Sequence, residues 1–254
     1  MKIDNQQLCN LTNNQLQVIL SGILGDGFLT KFKFKNSYFT TCCKYEEYID
    51  FKKNLLSELF INKTYKKENG FCKTPIYVLR SKSDNRLTNL STLSLKEILN
   101  SLDDLGLAMW IYDDGSLHKN KLFYNINTHS FSKEDQEKYL IPFLNKYNIY
   151  PKLTKEVKKD GRMFYYLRIS KYEGAYEINK ILEKYKIDCY NYKLWSSETI
   201  RNWSKLQVQL KRQGISVSKR RFGILLNILN NTNDIQDIVQ SLEKSKAGVI
   251  PLNK

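Results

Sequence analysis

Two aspartates in this chain share one local context, because each follows a short apolar stretch and precedes a glycine. Asp26 lies in VILSGILGDGFL at residues 18–29, and Asp114 lies in LGLAMWIYDDGSL at residues 105–117. Both stretches have the apolar spacing of a helix, so each carboxylate is expected at a helix C-terminus. A carboxylate is costly there unless a cation binds, since the helix already carries partial negative charge. The pair predicts a divalent metal site.

Oxygen ligands of this kind suit Mg²⁺, which is usually held by one or two carboxylates together with waters and phosphate oxygens. The predicted ligands are the carboxylates of Asp26 and Asp114, with the main-chain carbonyls of Gly25 and Asp113 as further candidates. In the second stretch, Asp113 is a second candidate acid beside Asp114. Two nearby metal ions stabilise the attacking and leaving oxygens of phosphodiester hydrolysis. For either stretch alone, an ordinary Asp-Gly helix stop is the alternative.

Small residues in both stretches suggest how the two acids meet. Ser21, Gly22 and Gly25 form a stripe on the first helix, and Ala108, near Gly106, partly matches it on the second. Such a stripe lets another helix backbone approach closely. The two helices are therefore expected to cross there, with their C-terminal aspartates side by side.

The overall charge points to a polyanionic partner. The chain has 254 residues, with 41 Lys+Arg against 26 Asp+Glu and a formal net charge of +15. The alternative is a soluble protein that is merely basic. No apolar run reaches the ~18–20 residues that span a membrane. Five cysteines without a C-x-x-C pair, after a polar N-terminus, predict reduced thiols inside a cell, and two histidines do not suggest a zinc site.

The order of predicted elements repeats along the chain. After each motif helix come two strands, a helix, two more strands and a closing helix. The resulting prediction is an α+β fold of two half-domains, 1–100 and 101–195, followed by a basic helical C-terminal extension, 196–254. That extension is either a two-helix DNA-reading unit or a packed buttress with a solvated basic face.

The stretches LSGILGDG and LAMWIYDDG resemble the two motifs of single-chain LAGLIDADG homing endonucleases. Trp110 and the double aspartate before Gly115 are typical of one branch, and NTHSF (127–131) and YKL (192–194) resemble its later segments. The resemblance covers about residues 12–195. It implies two pseudo-symmetric αββαββα half-domains packed through the motif helices, with a saddle of antiparallel sheets in the DNA major groove. It also implies Mg²⁺-dependent cleavage of both strands at a long asymmetric site, with Mn²⁺ able to substitute.

The resemblance also implies residue roles. Asp26 and Asp114 match the metal-binding acids, and Lys193 and Lys96 are the candidates for basic catalytic residues near the scissile phosphates. Thr40 and His129 match polar positions at the ends of the second strands that line the pocket around the acids, although a structural histidine is the alternative for His129. Alternating strand patterns independently predict a DNA-contacting face. Its predicted members, besides Thr40 and His129, are Lys31, Lys33, Lys35, Arg80, Lys82, Lys152, Thr154, Lys158 and Arg168.

Partners follow from these expectations. Double-stranded DNA is the expected substrate, and no membrane partner is expected. The chain is expected to act as a monomer, because a homodimer would need only one motif per chain. An RNA maturase that binds its host intron RNA and a DNA-binding regulator that does not cut are the alternatives on the same scaffold. Mitochondria and the cytoplasm of bacteria or phage-infected cells both remain as locations.

Overall fold

The structure of the chain is a computed structural model that describes residues 10–32, 35–66, 75–118 and 123–196, with 208, 215–216 and 250–251. The predicted C-terminal extension, 196–254, lies almost entirely outside the described residues. Two short pieces of it, Ile215–Ser216 and Ile250–Pro251, pair as antiparallel strands. The helices of the described part are all too short or too polar to cross a membrane.

The first half opens with motif helix α1 (Asn13–Leu24). A capping box begins this helix, because the Thr12 hydroxyl accepts from the Gln15 amide while the Gln15 side chain accepts from the Thr12 amide. The elements that follow are β1 (Gly27–Phe32), β2 (Lys35–Cys43), α2 (Glu46–Leu56), β3 (Phe60–Lys66), β4 (Ile76–Ser81), α3 (Asn85–Leu90) and α4 (Leu95–Ser101). The boundary predicted at 100/101 therefore falls at the last residue of α4.

The second half opens with motif helix α5 (Asp104–Asp114), whose first amides are capped by the Asp103 carboxylate. A π-helical stretch (Gln136–Leu140) joins α6 (Lys133–Asp135) to α7 (Ile141–Asn145) just before Pro142, which has no N–H to donate. The elements after α5 are β5 (Gly115–Leu117), β6 (Tyr124–Ile126), α6 (Lys133–Asp135), α7 (Ile141–Asn145), β7 (Lys152–Val157), β8 (Met163–Ile169) and α8 (Tyr172–Lys184).

Each half builds a four-stranded antiparallel sheet with the same topology, β1-β2-β4-β3 in the first and β5-β6-β8-β7 in the second. The registers are also equivalent. In each sheet, the glycine that follows the motif acid pairs with a residue of the second strand, which pairs in turn with a residue of the fourth. We call these residues the first glycine row (Gly27, Thr41 and Leu79) and the second glycine row (Gly115, Ile126 and Leu167). The predicted α+β fold of two αββαββα halves is confirmed.

The two motif helices pack side by side and run in the same direction. Near their N-termini, the Asn13 amide donates to the Asp103 carboxylate, at 2.7 Å. Near their C-termini, a Cβ atom added to Gly25 would lie 2.8 Å from the Cβ of Asp113. The prediction that Gly22 belongs to the stripe facing the other helix is wrong. Gly22 faces Phe39 of its own sheet, where a Cβ would lie 2.5 Å from the ring. The helix ends meet as predicted, but through Gly25 alone of those two glycines.

Candidate active site

The two motif acids lie where the parallel helices end. Asp26 follows the C-cap of α1, and Asp114 is the last residue of α5. The indole Nε1 of Trp110, one turn earlier, donates to the Asp114 carboxylate at 3.2 Å, which fixes that side chain. On the other side, the Thr41 hydroxyl donates to the main-chain carbonyl of Asp26 at 3.3 Å. Each half thus supplies one acid and its own support.

Asp113 points the other way, into the protein. Its carboxylate is only 1% exposed and accepts from the Lys52 ammonium at 3.0 Å to both oxygens. Lys52 comes from α2 of the first half, is fully buried, and also donates to the Thr41 hydroxyl at 3.3 Å. Because its charge is already paired, the Asp113 side chain is not a free metal ligand, and this part of the prediction is wrong.

The lysine of the first half that lies beside the helix ends is Lys52, and not the predicted Lys96. Lys96 lies on α4, at a cleft lined by Leu99, Phe143 and Lys146, and the structure does not bring it to the acids. A signal for Lys52 was available in the sequence. It lies one turn after Tyr48 and one turn before Leu56, on the apolar stripe of α2, where an unpaired lysine is rarely buried.

Lys193 lies near the acids, and its catalytic role stays a prediction. A 3-10 turn (Asp188–Lys193) crosses back onto the first half, where the Glu47 carboxylate accepts from the Asp188 and Cys189 amides. The Lys193 ammonium then donates to the carbonyl of Tyr112 at 2.5 Å, at the C-terminal end of α5. It therefore neutralises the negative end of that helix, and acts on the site through the helix rather than by contact from solvent.

The acids destabilise each other's charge. Loss of hydration raises the pKa of Asp114 to about 7, and the carboxylates of Asp26 and Asp113 contribute. The pKa of Asp26 is also raised, first by loss of hydration and then by Asp113, against the lowering effect of Lys52 and Lys193. Burial lowers the pKa of Lys193 to about 8. Two crowded carboxylates with raised pKa values are the surroundings that a divalent cation stabilises, so the donor set fits Mg²⁺ or Mn²⁺.

The protein ligands are few. Among the described residues, no three His, Cys, Asp or Glu side chains converge on one point. With Asp113 committed to Lys52, Asp26 and Asp114 are the carboxylates left to hold a metal, and Mg²⁺ commonly takes one or two together with phosphate oxygens. The main-chain carbonyls of Gly25 and Asp113 stay predictions.

The outer face of the second sheet carries several predicted DNA contacts. Lys152 pairs with Arg168, and Thr154 pairs with Tyr166, on the side opposite the buried Leu167. Lys158 follows the end of β7 and is ion-paired with Glu156 of the same face. Polar and charged groups thus line this face, as nucleic-acid binding requires.

In the first sheet, Arg80 pairs with Thr40 on the outer face, because the neighbouring Leu79 is buried. The Thr40 hydroxyl is itself buried there and has no hydrogen-bond partner among the described residues, and Lys82 is exposed just after β4. Lys31 and Lys35 lie in β1 and β2, but the structure describes only their backbone, and Lys33 lies outside the described residues.

His129 lies away from the pocket where it was predicted. It follows β6 and packs on the outer face of the second sheet, with its ring 5.5 Å from Phe164 and its Nε2 3.7 Å from the Glu156 carboxylate. In the first half, Cys42 of β2 lies near Asp26. Nearby Asp26 contributes to raising the pKa of its thiol, after the larger effect of lost hydration.

Comparison with known proteins agrees with this geometry. The family model of the LAGLIDADG DNA endonuclease family matches residues 16–176. The chain belongs to the LAGLIDADG DNA endonuclease family. It is 31% identical over 104 residues to the probable intron-encoded DNA endonuclease 3 of Mycosarcoma maydis, covering 41% of this chain and 71% of that protein. Among solved structures, the homing endonuclease I-WcaI bound to its DNA recognition sequence has the same fold, with a TM-score of 0.61 and 22% identity over 75% of this chain and 89% of that one.

Membership in this family makes DNA the class of substrate. The two LAGLIDADG helices are α1 and α5, and the family resemblance drawn from Asp26 and Asp114 is confirmed. The structure adds a difference between the two motifs, since the second one contributes a buried ion-paired aspartate before its metal-site candidate.

Proposed function

We propose that this LAGLIDADG protein is a site-specific homing endonuclease that hydrolyses both strands of a long, asymmetric double-stranded DNA site and depends on a divalent metal. The observation that supports this most is the meeting of the α1 and α5 C-termini, which brings Asp26 and Asp114 together with raised pKa values. Asp26 and Asp114 would hold the metal, with Mg²⁺ expected and Mn²⁺ as a substitute. When bound, it supplies positive charge for the attacking and leaving oxygens of the phosphodiester.

The protein's own residues prepare this site. Lys52 and Lys193 bring two positive charges to the end of α5, where the acids are concentrated, and both lower the pKa of Asp26. The Lys52 ammonium also ties Asp113 of the second half to Thr41 of the first, so it fixes how the two acids face each other. Lys52 and Lys193 therefore act as positioning residues. Substrate is held by the outer faces of the two sheets.

One chain is sufficient for this reaction, because each half supplies one acid of the pair. The halves differ in residues at equivalent places, such as Asn62 opposite Arg80 and Lys152 opposite Arg168. We therefore expect a monomer that binds a target without two-fold sequence symmetry. Sedimentation of the free protein tests this, and an obligate dimer would contradict it.

The direct test uses duplex DNA spanning the insertion point of the gene, with Mg²⁺. Asp26→Asn and Asp114→Asn should each abolish cleavage and leave binding in a mobility-shift assay largely intact. Asp160→Asn is the matched control, because Asp160 is an exposed hairpin acid paired with Arg162. Normal cleavage by both motif variants would refute the proposal. Tight binding by the wild type without any cleavage would favour the regulator, and preferential binding of intron RNA would favour the maturase.

A further inference from the structure

Arg80 and Arg168 occupy equivalent places in the two sheets. Arg80 pairs with Thr40 of β2, and Arg168 pairs with Asn125 of β6. Each stands one residue beyond its glycine row, and that row contains the glycine that directly follows Asp26 or Asp114. The pseudo-two-fold relation between the halves therefore exchanges the two arginines.

Both arginines project from the outer faces of the sheets. Side chains alternate along a strand, and the residues before them, Leu79 and Leu167, are fully buried in the core. Their guanidinium groups are therefore presented to whatever the sheets bind. In the major groove, strands of this kind bring side chains to the edges of the bases.

Arg168 is held in one orientation. Its Nε donates to the Asn125 side-chain oxygen at 3.2 Å, and its Nη2 donates to the Tyr166 hydroxyl. The guanidinium carbon also lies 4.9 Å from the ring centroid of Phe123. These contacts use two of the five N–H donors of arginine, so three remain, on the two terminal nitrogens. Two adjacent donors at a fixed position match the O6 and N7 acceptors of guanine.

Arg80 is held less firmly. Its guanidinium lies 4.8 Å from the ring centroid of Tyr38, and it has no hydrogen bond or ion pair to another described residue. Ordering such a side chain on binding costs free energy that Arg168 has already lost on folding. The same base contact should therefore be weaker and less selective at Arg80.

We propose that Arg168 and Arg80 are specificity-determining residues that recognise guanines on opposite strands of the target, at equal distances from its centre, with the stricter recognition at Arg168. This inference rests on the proposed function, since it requires that the outer faces bind duplex DNA. The two halves would then differ in how strictly they select guanine, although the backbone positions of the two arginines are equivalent.

The test separates base recognition from cleavage. The full-length chain selects from a random duplex DNA library by binding without divalent metal, and the selected pool is then cut with Mg²⁺ and sequenced. The wild type should enrich guanine at two positions, one on each strand and equally far from the cut. Arg168→Lys keeps the charge but loses the paired donors, so guanine preference should fall by about tenfold at one position only. Arg80→Lys should affect the other position by a smaller factor.

Arg162→Lys is the matched control, because Arg162 lies beyond the sheet in the β7–β8 hairpin and pairs with Asp160. It should leave every base preference unchanged. Unchanged preferences in Arg168→Lys would overturn the inference and make Arg168 a phosphate contact. A wild-type pool with guanine enriched but not cut would instead refute the proposed cleavage and keep the inference. A variant that loses all binding is replaced by Arg168→Gln, for which a shift from guanine to adenine supports base recognition and unchanged guanine refutes it.

Discussion

The adjacent residues Asp113 and Asp114 should respond in opposite directions to the same substitution in metal-free protein. Asp114→Asn removes a carboxylate that is crowded by Asp26 and Asp113 and still accepts from the Trp110 indole through its amide oxygen. Asp113→Asn removes the partner of the fully buried Lys52 ammonium. The first change should stabilise the fold, and the second should destabilise it.

The magnitudes follow from the two environments. A pKa raised from 3.8 to about 7 corresponds to a cost of about 4 kcal/mol for the ionised form, at about 1.4 kcal/mol per tenfold change in proton affinity. Solvent and counterions screen part of this, so we expect Asp114→Asn to gain roughly 1–2 kcal/mol. Breaking a buried ion pair costs roughly 3–5 kcal/mol, because the remaining charge is uncompensated. At about 2–4 °C per kcal/mol, the melting temperature should rise by a few degrees in one variant and fall by roughly 6–20 °C in the other.

The pH dependence gives the sign a second check. The folded pKa of Asp114 lies above its unfolded value, so ionisation destabilises the wild type progressively as pH rises from about 4 to about 7. The advantage of Asp114→Asn should therefore be small at pH 4.5 and complete at pH 8. Adding Mg²⁺ should stabilise the wild type and close this gap, because the ion binds the folded state and needs the Asp114 carboxylate.

The assay is urea unfolding followed by circular dichroism, in EDTA at both pH values and then in Mg²⁺. Asp160→Asn controls for the general effect of removing a negative charge from a basic protein, and it should change stability little because that acid is exposed. If Asp114→Asn is no more stable than the wild type at pH 8 in EDTA, the two acids are not crowded as described. If Asp113→Asn is as stable as the wild type, the Lys52 ion pair does not have the assigned role.

Three further outcomes are expected. Gly25→Ala should reduce cleavage far more than DNA binding, because its Cβ would lie 2.8 Å from that of Asp113 and push the acids apart. Gly22→Ala should instead lower the melting temperature and leave the folded protein active at low temperature. If the two variants lose cleavage activity and melting temperature equally, this prediction is contradicted. Lys52→Met should lower the free energy of unfolding in urea by roughly 3–5 kcal/mol, and adding Asp113→Leu should recover most of this loss. If the loss in the double variant equals the sum of the losses in the two single variants, Lys52 and Asp113 do not pair directly. Lys152→Ala should lower the slope of log binding constant against log salt concentration by about one in titrations with target DNA, and an unchanged slope would remove it from the phosphate contacts.

Much of the architecture was predictable from local sequence. Apolar spacing predicts the motif helices, and Asp160-Gly161, a dipeptide that favours hairpin turns, lies at the β7–β8 turn, where Gly161 has a φ of 82°. The repeated element order predicted two like halves, and the sheets share topology and register. These features depend on contacts within a few residues or on patterns that repeat along one element, so a single sequence contains them.

The details of the site depend on contacts between distant residues. Lys52 and Asp113 are 61 positions apart and lie in different halves, and no local pattern links them. The choice between Asp113 and Asp114 is decided by helix rotation. Consecutive helical residues point about 100° apart, so the Asp113 carboxylate turns toward the buried Lys52 ammonium while the Asp114 carboxylate lies beside the Trp110 indole.

Residue types and their spacing along the chain are enough to identify the family, the repeat and the two motif acids. Three other features follow only from how the chain packs: Lys52 rather than Lys96 lies beside the helix ends, Gly22 faces Phe39, and Asp113 forms an ion pair. Burial and ion pairing are properties of the packed interface between the two helices and the two halves. They arise when the chain folds, and the local sequence around a single residue does not specify them.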